Sequence, residues 1–387
     1  MIKTYKIMLL PNNKQRTKLF ECAGCARFAY NWALWYEQFN YEIGNDFLSD
    51  YDLRKVLTKL KATEKYAWLN NYSNNITKQA VKDAVNAYRK FFKGQSKYPK
   101  FKSKKKSRPS FYVDTAKIKF TGTHVKLEKI AESTRKNRTQ ANFIRLAEHG
   151  RIPTNAKYSN PRVTFDGLNW WISVGIEYEE PTERPKNEGI GIDIGVKSLA
   201  VCSDGTVYRN INKTKKVKKL RKRQRRLQRK VSGKYLKNKK GGSYCKTHNI
   251  QKAEKQLLIL NRRLTNIRHN YLHQITSEIT DRKPMFVVLE DLNVNGMMKN
   301  RCLAKAVQEQ GFYEFYRQME YKCRWSNVDF VTADRFYPSS KLCCVCGHIK
   351  HNLKLSDRTY LCEKCGNEID RDYQASVNLK RYREFSA

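Results

Sequence analysis

Residues 188–202 read EGIGIDIGVKSLAVC, and the architecture of the C-terminal half follows from how they are parsed. Gly189 to Gly195 has the composition of a short strand carrying a single acid, Asp193. Leu199–Cys202 and Val207-Tyr208, separated by the turn residues Ser203-Asp204-Gly205, add a hairpin. Further on, Phe286–Leu289 is a continuous apolar run of strand length that ends on Glu290, and Val328–Thr332 is another strand. Between them, residues 213–230 contain twelve Lys/Arg in eighteen positions and no acid. Val217, Leu220, Leu227 and Val231 still keep one apolar seam, so this segment is a basic amphipathic helix. Gly241 and Gly242 end it, and residues 251–282 form a second long helix with Leu257, Leu260, Leu264, Ile267, Leu272 and Ile275 inward, making a helical hairpin. Residues 303–325 are a further helix.

Upstream, the polar linker PTERPKN (181–187) separates this unit from a stretch of short strands over 111–180. There the turn Asp166-Gly167 is followed by alternating Trp170, Ile172, Val174 and Ile176, a strand with one buried face. A small barrel or sandwich is expected. Residues 2–10 are also strand-like and end at Pro11-Asn12-Asn13, after which Leu19, Cys22, Ala23, Ala26, Phe28 and Trp32 recur at helical spacing. Helical segments follow over 51–61 and 76–92, the latter with Ile76, Ala80, Ala84, Tyr88 and Phe91 as its stripe. If 2–10 pairs with the later strands, the helical block is an insertion within a β domain.

The 387 residues are too many for one ordinary core. Lys and Arg number 78 against 36 acids, a formal charge of +42, which makes nucleic acid the expected partner ahead of a membrane surface or an acidic protein. A hydrophobic content of 40% excludes a wholly disordered basic tail. The first apolar run, Ile7–Leu10, is too short for a signal segment, and no run approaches the ~18 residues of a membrane span. With eleven cysteines, an odd number, a reducing cytoplasmic setting is expected, with thiols used for metal or buried in cores.

Cys343-x-x-Cys346 and Cys362-x-x-Cys365, separated by fifteen residues, form paired knuckles, each able to bring two thiolates from one turn to a single ion. Two of them close a tetrahedral, structural zinc site. His348 and His351 are fallback ligands only, and Cys344 breaks the spacing. Cys22-x-x-Cys25 has no partner pair and is read as core. The second constellation is three acids: Asp193, Glu290 at its strand end, and one of Asp370 and Asp372, between which spacing does not choose. Two-metal phosphodiester hydrolysis needs carboxylates converging on ions about 3.5–4 Å apart. Singly, each acid has an ordinary alternative, a solvated strand end or, for Asp370, a helix cap.

GIDIGVKSLAV around Asp193, VVLEDLNVNGM around Glu290 and IDRDYQASVNL around Asp372 resemble the three motifs of a RuvC-like, ribonuclease H-fold nuclease. With the ribbon PSSKLCCVCG…YLCEKCG between the second and third motifs, and the opening YKIMLLPNNKQRTKLFECAGCARFAYNWAL and YPKFKSKKKSRPSF, the chain resembles the TnpB (OrfB) family of bacterial insertion sequences, relatives of type V CRISPR effectors. It departs from the family at Gln374-Ala375-Ser376, where Asn-Ala-Ala is commoner, and at Cys344. The resemblance implies a multidomain α+β protein. Residues 1–12 with 109–182 would be a β-barrel wedge, 13–108 a helical recognition domain, 186–337 with 368–387 the RuvC-like nuclease domain, and 338–367 a zinc ribbon that binds target nucleic acid. It implies a transposon-encoded RNA-guided endonuclease that cuts double-stranded DNA matched to a noncoding guide RNA from the transposon end, beside a short flanking motif, and so supports transposon maintenance. Asp193, Glu290 and Asp372 would hold Mg²⁺, two ions being expected, and Cys343, Cys346, Cys362 and Cys365 zinc. The oligomeric state is left open with a monomer favoured, and the protein is expected to associate with the nucleoid when on DNA. The alternatives are an RNA-guided repressor that binds without cutting and an unguided zinc-ribbon transposase or accessory DNA-binding protein.

Two segments are read as nucleic-acid contacts. In 213–230, Lys216, Arg221, Arg225 and Arg229 represent a phosphate-facing surface, against the alternative of a merely solvated charged face. In 97–108, Lys100, Lys102, Lys104, Lys105 and Lys106 would meet phosphates while Tyr98 and Phe101 stack on bases, or else those residues anchor the connector on the protein. Trp32, Trp35 and Trp68 are read as core rather than as stacking surfaces.

Overall fold

In the computed structural model, strand β1 (Ile2–Leu10) is the middle strand of a seven-stranded antiparallel sheet assembled mostly from residues more than a hundred positions later. The described residues are 1–130, 142–179, 181–354 and 356–386, so 131–141, part of the expected β region, lie outside them. The chain divides into two units, Met1–Glu179 and Glu180–Ala387.

In the first unit β1 is followed by helices α1 (Asn13–Glu42), α2 (Asp50–Lys61) and α3 (Asn74–Phe92), then strands β2 (Ser110–Tyr112), β3 (Lys119–Phe120), β4 (His124–Lys126), β5 (Phe143–Leu146), β6 (Tyr158–Phe165) and β7 (Trp170–Glu177). The sheet order is β2-β6-β7-β1-β5-β4-β3, so β1 does pair with late strands, β7 on one side and β5 on the other. The helices are an excursion between two strands of one sheet, and they share its core. Asn12 starts α1 with a capping box: its side chain accepts from the Gln15 amide, and the Gln15 side chain accepts from the Asn12 amide. Cys22 and Cys25 are buried in this core, and burial pushes both thiols up to about 12, as befits packing residues.

Trp32 is buried, but Trp35 is 53% and Trp68 39% exposed, which corrects the reading of all three as core. At about 100° per residue, Trp35 falls almost opposite the buried Ala33, while Trp32 flanks the buried stripe. Trp35 stacks instead on Phe39, with ring centroids 5.7 Å apart.

The second unit begins with β8 (Ile190–Ile194), β9 (Ser198–Cys202) and β10 (Val207–Arg209), followed by α4 (Lys215–Lys237), a small hairpin β11 (Lys239–Lys240) and β12 (Ser243–Tyr244), and α5 (His248–Asp281). Then come β13 (Phe286–Glu290), α6 (Val294–Lys299), α7 (Ala304–Gln310), α8 (Phe312–Trp325), β14 (Asp329–Ala333), β15 (Thr359–Leu361), β16 (Glu368–Asp370) and α9 (Arg371–Ser386). The five-stranded sheet has the order β10-β9-β8-β13-β14, with β8, β13 and β14 mutually parallel. The expected single helix over 303–325 is broken at Gly311, whose φ of +72° no ordinary side chain adopts cheaply.

Both faces of this sheet are covered, which is why β13 is apolar from Phe286 to Leu289, up to its last residue Glu290. Val287 and Leu289 pack on the α5 and α8 side, whereas Phe286 and Val288 pack with Leu379 of α9. The second layer depends on Gly191. A Cβ there would overlap the Ser376 carbonyl oxygen and the Lys380 amide nitrogen, so the backbone of α9 rests directly on β8.

Gly191→Ala should therefore cost at least about 3 kcal/mol in urea unfolding of the full chain, because the obstructing atoms are backbone. Gly233→Ala, inside α4 with nothing within 4 Å of the new methyl group, should have the opposite sign and stabilise by about 0.4–1 kcal/mol.

Candidate active site and metal centre

Asp193 and Glu290 sit on neighbouring parallel strands, each one residue beyond the registered pair Ile192 and Leu289. Ile192 and Leu289 both point into the α5/α8 core, so strand alternation turns Asp193 and Glu290 to the opposite, α9-covered face. Asp372 lies in the first turn of α9, the helix that Gly191 admits onto that face. Three acids far apart in sequence are thus brought to one side of one sheet.

Their electrostatics agree with this placement. Burial raises Asp193 to about 8, and the carboxylates of Asp372 and Glu290 push in the same direction, while Arg371 opposes them. Glu290 is also raised, first by burial and then by Asp291. Asp372 pairs with Arg371, its neighbour within the third motif, at 3.5 Å and with Arg358, which lies in no motif, at 4.0 Å. Its neighbour Asp370 is the helix cap, its Oδ1 accepting from the Asp372 and Tyr373 amides at 2.9 and 3.1 Å. A site with surplus negative charge and poor hydration favours a bound cation.

The four knuckle cysteines are drawn together more tightly. Their sulfurs all lie within 4.8 Å of one another, the only such group of ligand atoms among the described residues; the three carboxylates are grouped more loosely. The Cys343–Cys365 and Cys346–Cys362 sulfur separations are 3.7 and 3.6 Å, and none of the four is in a disulfide. A tetrahedron with Zn–S bonds of about 2.3 Å has edges of about 3.8 Å, so the donor set and spacing fit a structural zinc ion. The two knuckles are built alike. In each, the glycine after the second cysteine (Gly347, Gly366) takes a positive φ and donates its amide to the carbonyl of the first at 3.0 Å. The first cysteine's amide in turn donates to the carbonyl just beyond that glycine, at 2.8 and 2.9 Å. Cys344 lies outside this group of four, and the Asn367 side-chain nitrogen is 3.9 Å from its sulfur and 4.0 Å from that of Cys343. Buried Asn378 of α9 donates to the Ser339 and Leu342 carbonyls, tying the ribbon's entry to the helix that carries Asp372.

A Streptomyces pristinaespiralis protein named "Putative RNA-guided DNA endonuclease" is 31% identical over 97% of this chain and 88% of its own length. The chain belongs to the TnpB (OrfB) family. InsQ of Escherichia coli K12, with the same designation, is 28% identical over 98% of this chain and 91% of its own length. Family models described as "Probable transposase" and "Cas12f1-like, TNB domain" match residues 172–301 and 312–379. A "Helix-turn-helix domain" model matches 1–46, which here is β1 followed by the single thirty-residue helix α1. Among solved structures, a Cas12f1 chain determined with sgRNA and target DNA superposes with a TM-score of 0.60 at 14% identity, covering 95% of this chain and 82% of that one. The fold is therefore shared with Cas12f.

The basic residues of this TnpB-family chain divide into two kinds. Lys216, Arg225 and Arg229 are exposed on α4. Arg221 is not available in the same way: it pairs with Glu309 and donates to the Asn212 side chain at 3.3 Å. About 40° round the helix from buried Val217, it lies at the edge of the inner face of α4 with its side chain 19% exposed, and the expected phosphate contact at this position is corrected to an internal anchor. In the connector, Lys100, Lys102 and Lys104 are all exposed, but the Lys102 ammonium sits 3.6 Å from the centre of the Tyr30 ring. The Lys102 backbone exchanges two 2.8 Å hydrogen bonds with the Asn31 side chain. Tyr98 packs edge-on against Tyr88 and Phe91. Lys102 and Tyr98 therefore anchor the connector while keeping part of their surface in solvent, as Phe101 also does.

Replacing Cys343 or Cys365 by Ser should drop bound zinc well below one ion per chain by elemental analysis and raise proteolytic cleavage within 338–367. Cys344→Ser should leave the zinc content unchanged.

Proposed function

We propose that the protein is a transposon-encoded, RNA-guided DNA endonuclease in which the second unit performs hydrolysis. The observation that carries this is the convergence of Asp193, Glu290 and Asp372 on the α9-facing side of the five-stranded sheet. On this reading 186–337 and 368–387 form the ribonuclease H-like, RuvC-like domain, and 338–367 is the zinc ribbon that contacts target nucleic acid. The seven-stranded sheet, 1–12 with 109–182, is the wedge, and 13–108 is the recognition helices.

Two Mg²⁺ ions held by the three carboxylates would supply an activated water and stabilise the departing oxygen. The chain itself contributes a buried, acid-rich face that disfavours uncompensated negative charge, with Arg371 and Arg358 beside Asp372 to orient that carboxylate. Sequence selection falls to pairing between guide and target strand, while cations such as Lys216, Arg225 and Arg229, with Lys100 and Lys104, follow nucleic-acid backbone. That division of labour suits a charge of +42 spread along the chain.

The test is to express the full chain with its flanking DNA, purify it at high salt, sequence the retained RNA and assay a matching plasmid with Mg²⁺. A defined RNA and a cut plasmid are expected. A defined RNA without cutting would mean a guided binder, and no discrete RNA an unguided protein. Asp193→Ala, Glu290→Ala and Asp372→Ala should each lower cleavage by about a thousandfold or more while leaving RNA affinity within about twofold. Near-wild-type cutting by any one of them would remove that residue from the site. Reversing charge at Lys216, Arg225 and Arg229 should reduce the slope of log affinity for RNA against log salt by about 0.7–0.9 for each phosphate no longer neutralised.

A further inference from the structure

The loop that follows Asp193 is held by a buried polar network that leads to the cation-rich helices. Residues 195–197 connect β8 to β9, and their carbonyl oxygens are claimed by side chains from elsewhere. The Gln310 Nε2 donates to Gly195 at 2.9 Å and to Val196 at 3.4 Å. Asn210 donates to Val196 at 2.8 Å, and the Lys213 Nζ to Lys197 at 3.2 Å. Asn210 and Lys213 bracket the short turn that enters α4, and Gln310 is the last residue of α7.

The network continues outward through Asn212. Its Nδ2 donates to the Glu309 carbonyl at 2.9 Å and to the Gln310 Oε1 at 3.5 Å. Its Oδ1 accepts from Arg221 of α4 at 3.3 Å and from Arg268 of α5 at 2.8 Å. Both arginines also pair with the Glu309 carboxylate, Arg268 at 3.5 Å. Asn210, Asn212 and Gln310 are all less than a tenth exposed. Arg221 is one helical turn from the outward-facing Arg225, so a polyanion that moves or stiffens α4 acts directly on an arginine fixed to this network.

We propose that Gln310 and Asn212 are positioning residues that couple nucleic acid bound on α4 to the loop that sets Asp193. The partner that engages the relay is a polyanion, and the inference rests on the reading above in taking that polyanion as RNA and, for the effect on cleavage alone, Asp193 as an acting acid. A buried network with its amides paired on both sides has few alternative arrangements, and that stiffness lets a displacement at one end reach the other. An inert scaffold would hold the loop equally with and without RNA, whereas a relay makes the loop's protection depend on RNA.

The test uses the full-length, zinc-loaded chain freed of nucleic acid, with and without a transcript of its flanking DNA. Amide hydrogen exchange is followed at residues 193–199. In the wild type, the transcript should slow exchange there by about tenfold. Gln310→Met keeps the side chain's length but removes its donor and acceptor. Asn212→Ala breaks the joint to the arginines and leaves the Gln310 bonds to Gly195 and Val196 in place. Each variant should bind the transcript within about twofold of wild type, lose the slowing at 193–199, need several times more Mg²⁺ for half-maximal cleavage and cut about tenfold more slowly at fixed Mg²⁺. If Gln310→Met fails to fold, by zinc content and thermal unfolding, Asn212→Ala carries the test. Slowing that persists in the folded variants, or no slowing in the wild type, overturns the relay. Slowing that is present in the wild type and lost in the variants, in a protein that never cleaves, upholds the relay and overturns the nuclease reading instead.

Discussion

The approach of α9 to β8 at Gly191 is the contact on which the second unit depends. The helix brings its own backbone into the space that a side chain at this position would otherwise occupy. That closeness buries Val288 and Leu379 together, covers the second face of the sheet, and carries Asp372 to the side on which Asp193 and Glu290 lie. The buried amide of Asn378 uses the same helix to hold the entry to the cysteine ribbon. One small residue thus links the packing of the sheet, the convergence of acids and the seating of the metal-binding loop.

Charge is organised by the same economy of space. A chain with an excess of 42 cations has to place most of them in solvent, and α4 does so along nearly its whole outer surface. The cations that turn inward have specific partners. Arg221 and Arg268 meet Glu309, and Arg371 lies beside Asp372. Carboxyl groups are gathered on one poorly hydrated face at Asp193 and Glu290, and there burial raises both acids. A basic exterior around an acidic, poorly solvated face is the charge pattern expected of a protein that attracts phosphodiester backbone and holds divalent cations against it.

Much of this was legible in the amino-acid order, for local reasons. Strand β7, helix α3 and the α4–α5 hairpin follow from periodicity, because their apolar positions repeat at intervals that allow one secondary structure, while β1 follows from its composition and β13 from the length of its apolar run. The paired CxxC knuckles are legible for the same reason: each is a single turn, and its ligand geometry is set within six residues. The break of the expected 303–325 helix at Gly311 is local, but at Trp35 and Arg221, where expectation and structure also part, the deciding neighbour is remote in sequence. Trp35 has helical spacing, but only the packing of α1 against its unit decides which side is outside. Arg221 is one cation among twelve in the sequence and becomes an anchor because Glu309 and Asn212 meet it.

The sequence by itself determined the elements, the basic character, the cysteine ligand set and the three acid-bearing motifs, since each of these is a property of a short segment. Tertiary structure decided that Asp370 caps while Asp372 faces the other acids, that Gly191 is a contact point rather than a flexible position, and that Gln310 and Asn212 lie between the basic helices and the Asp193 strand. Those are relations between segments up to two hundred residues apart. They depend on which backbone can approach which, and no periodicity or spacing within one segment records that distance.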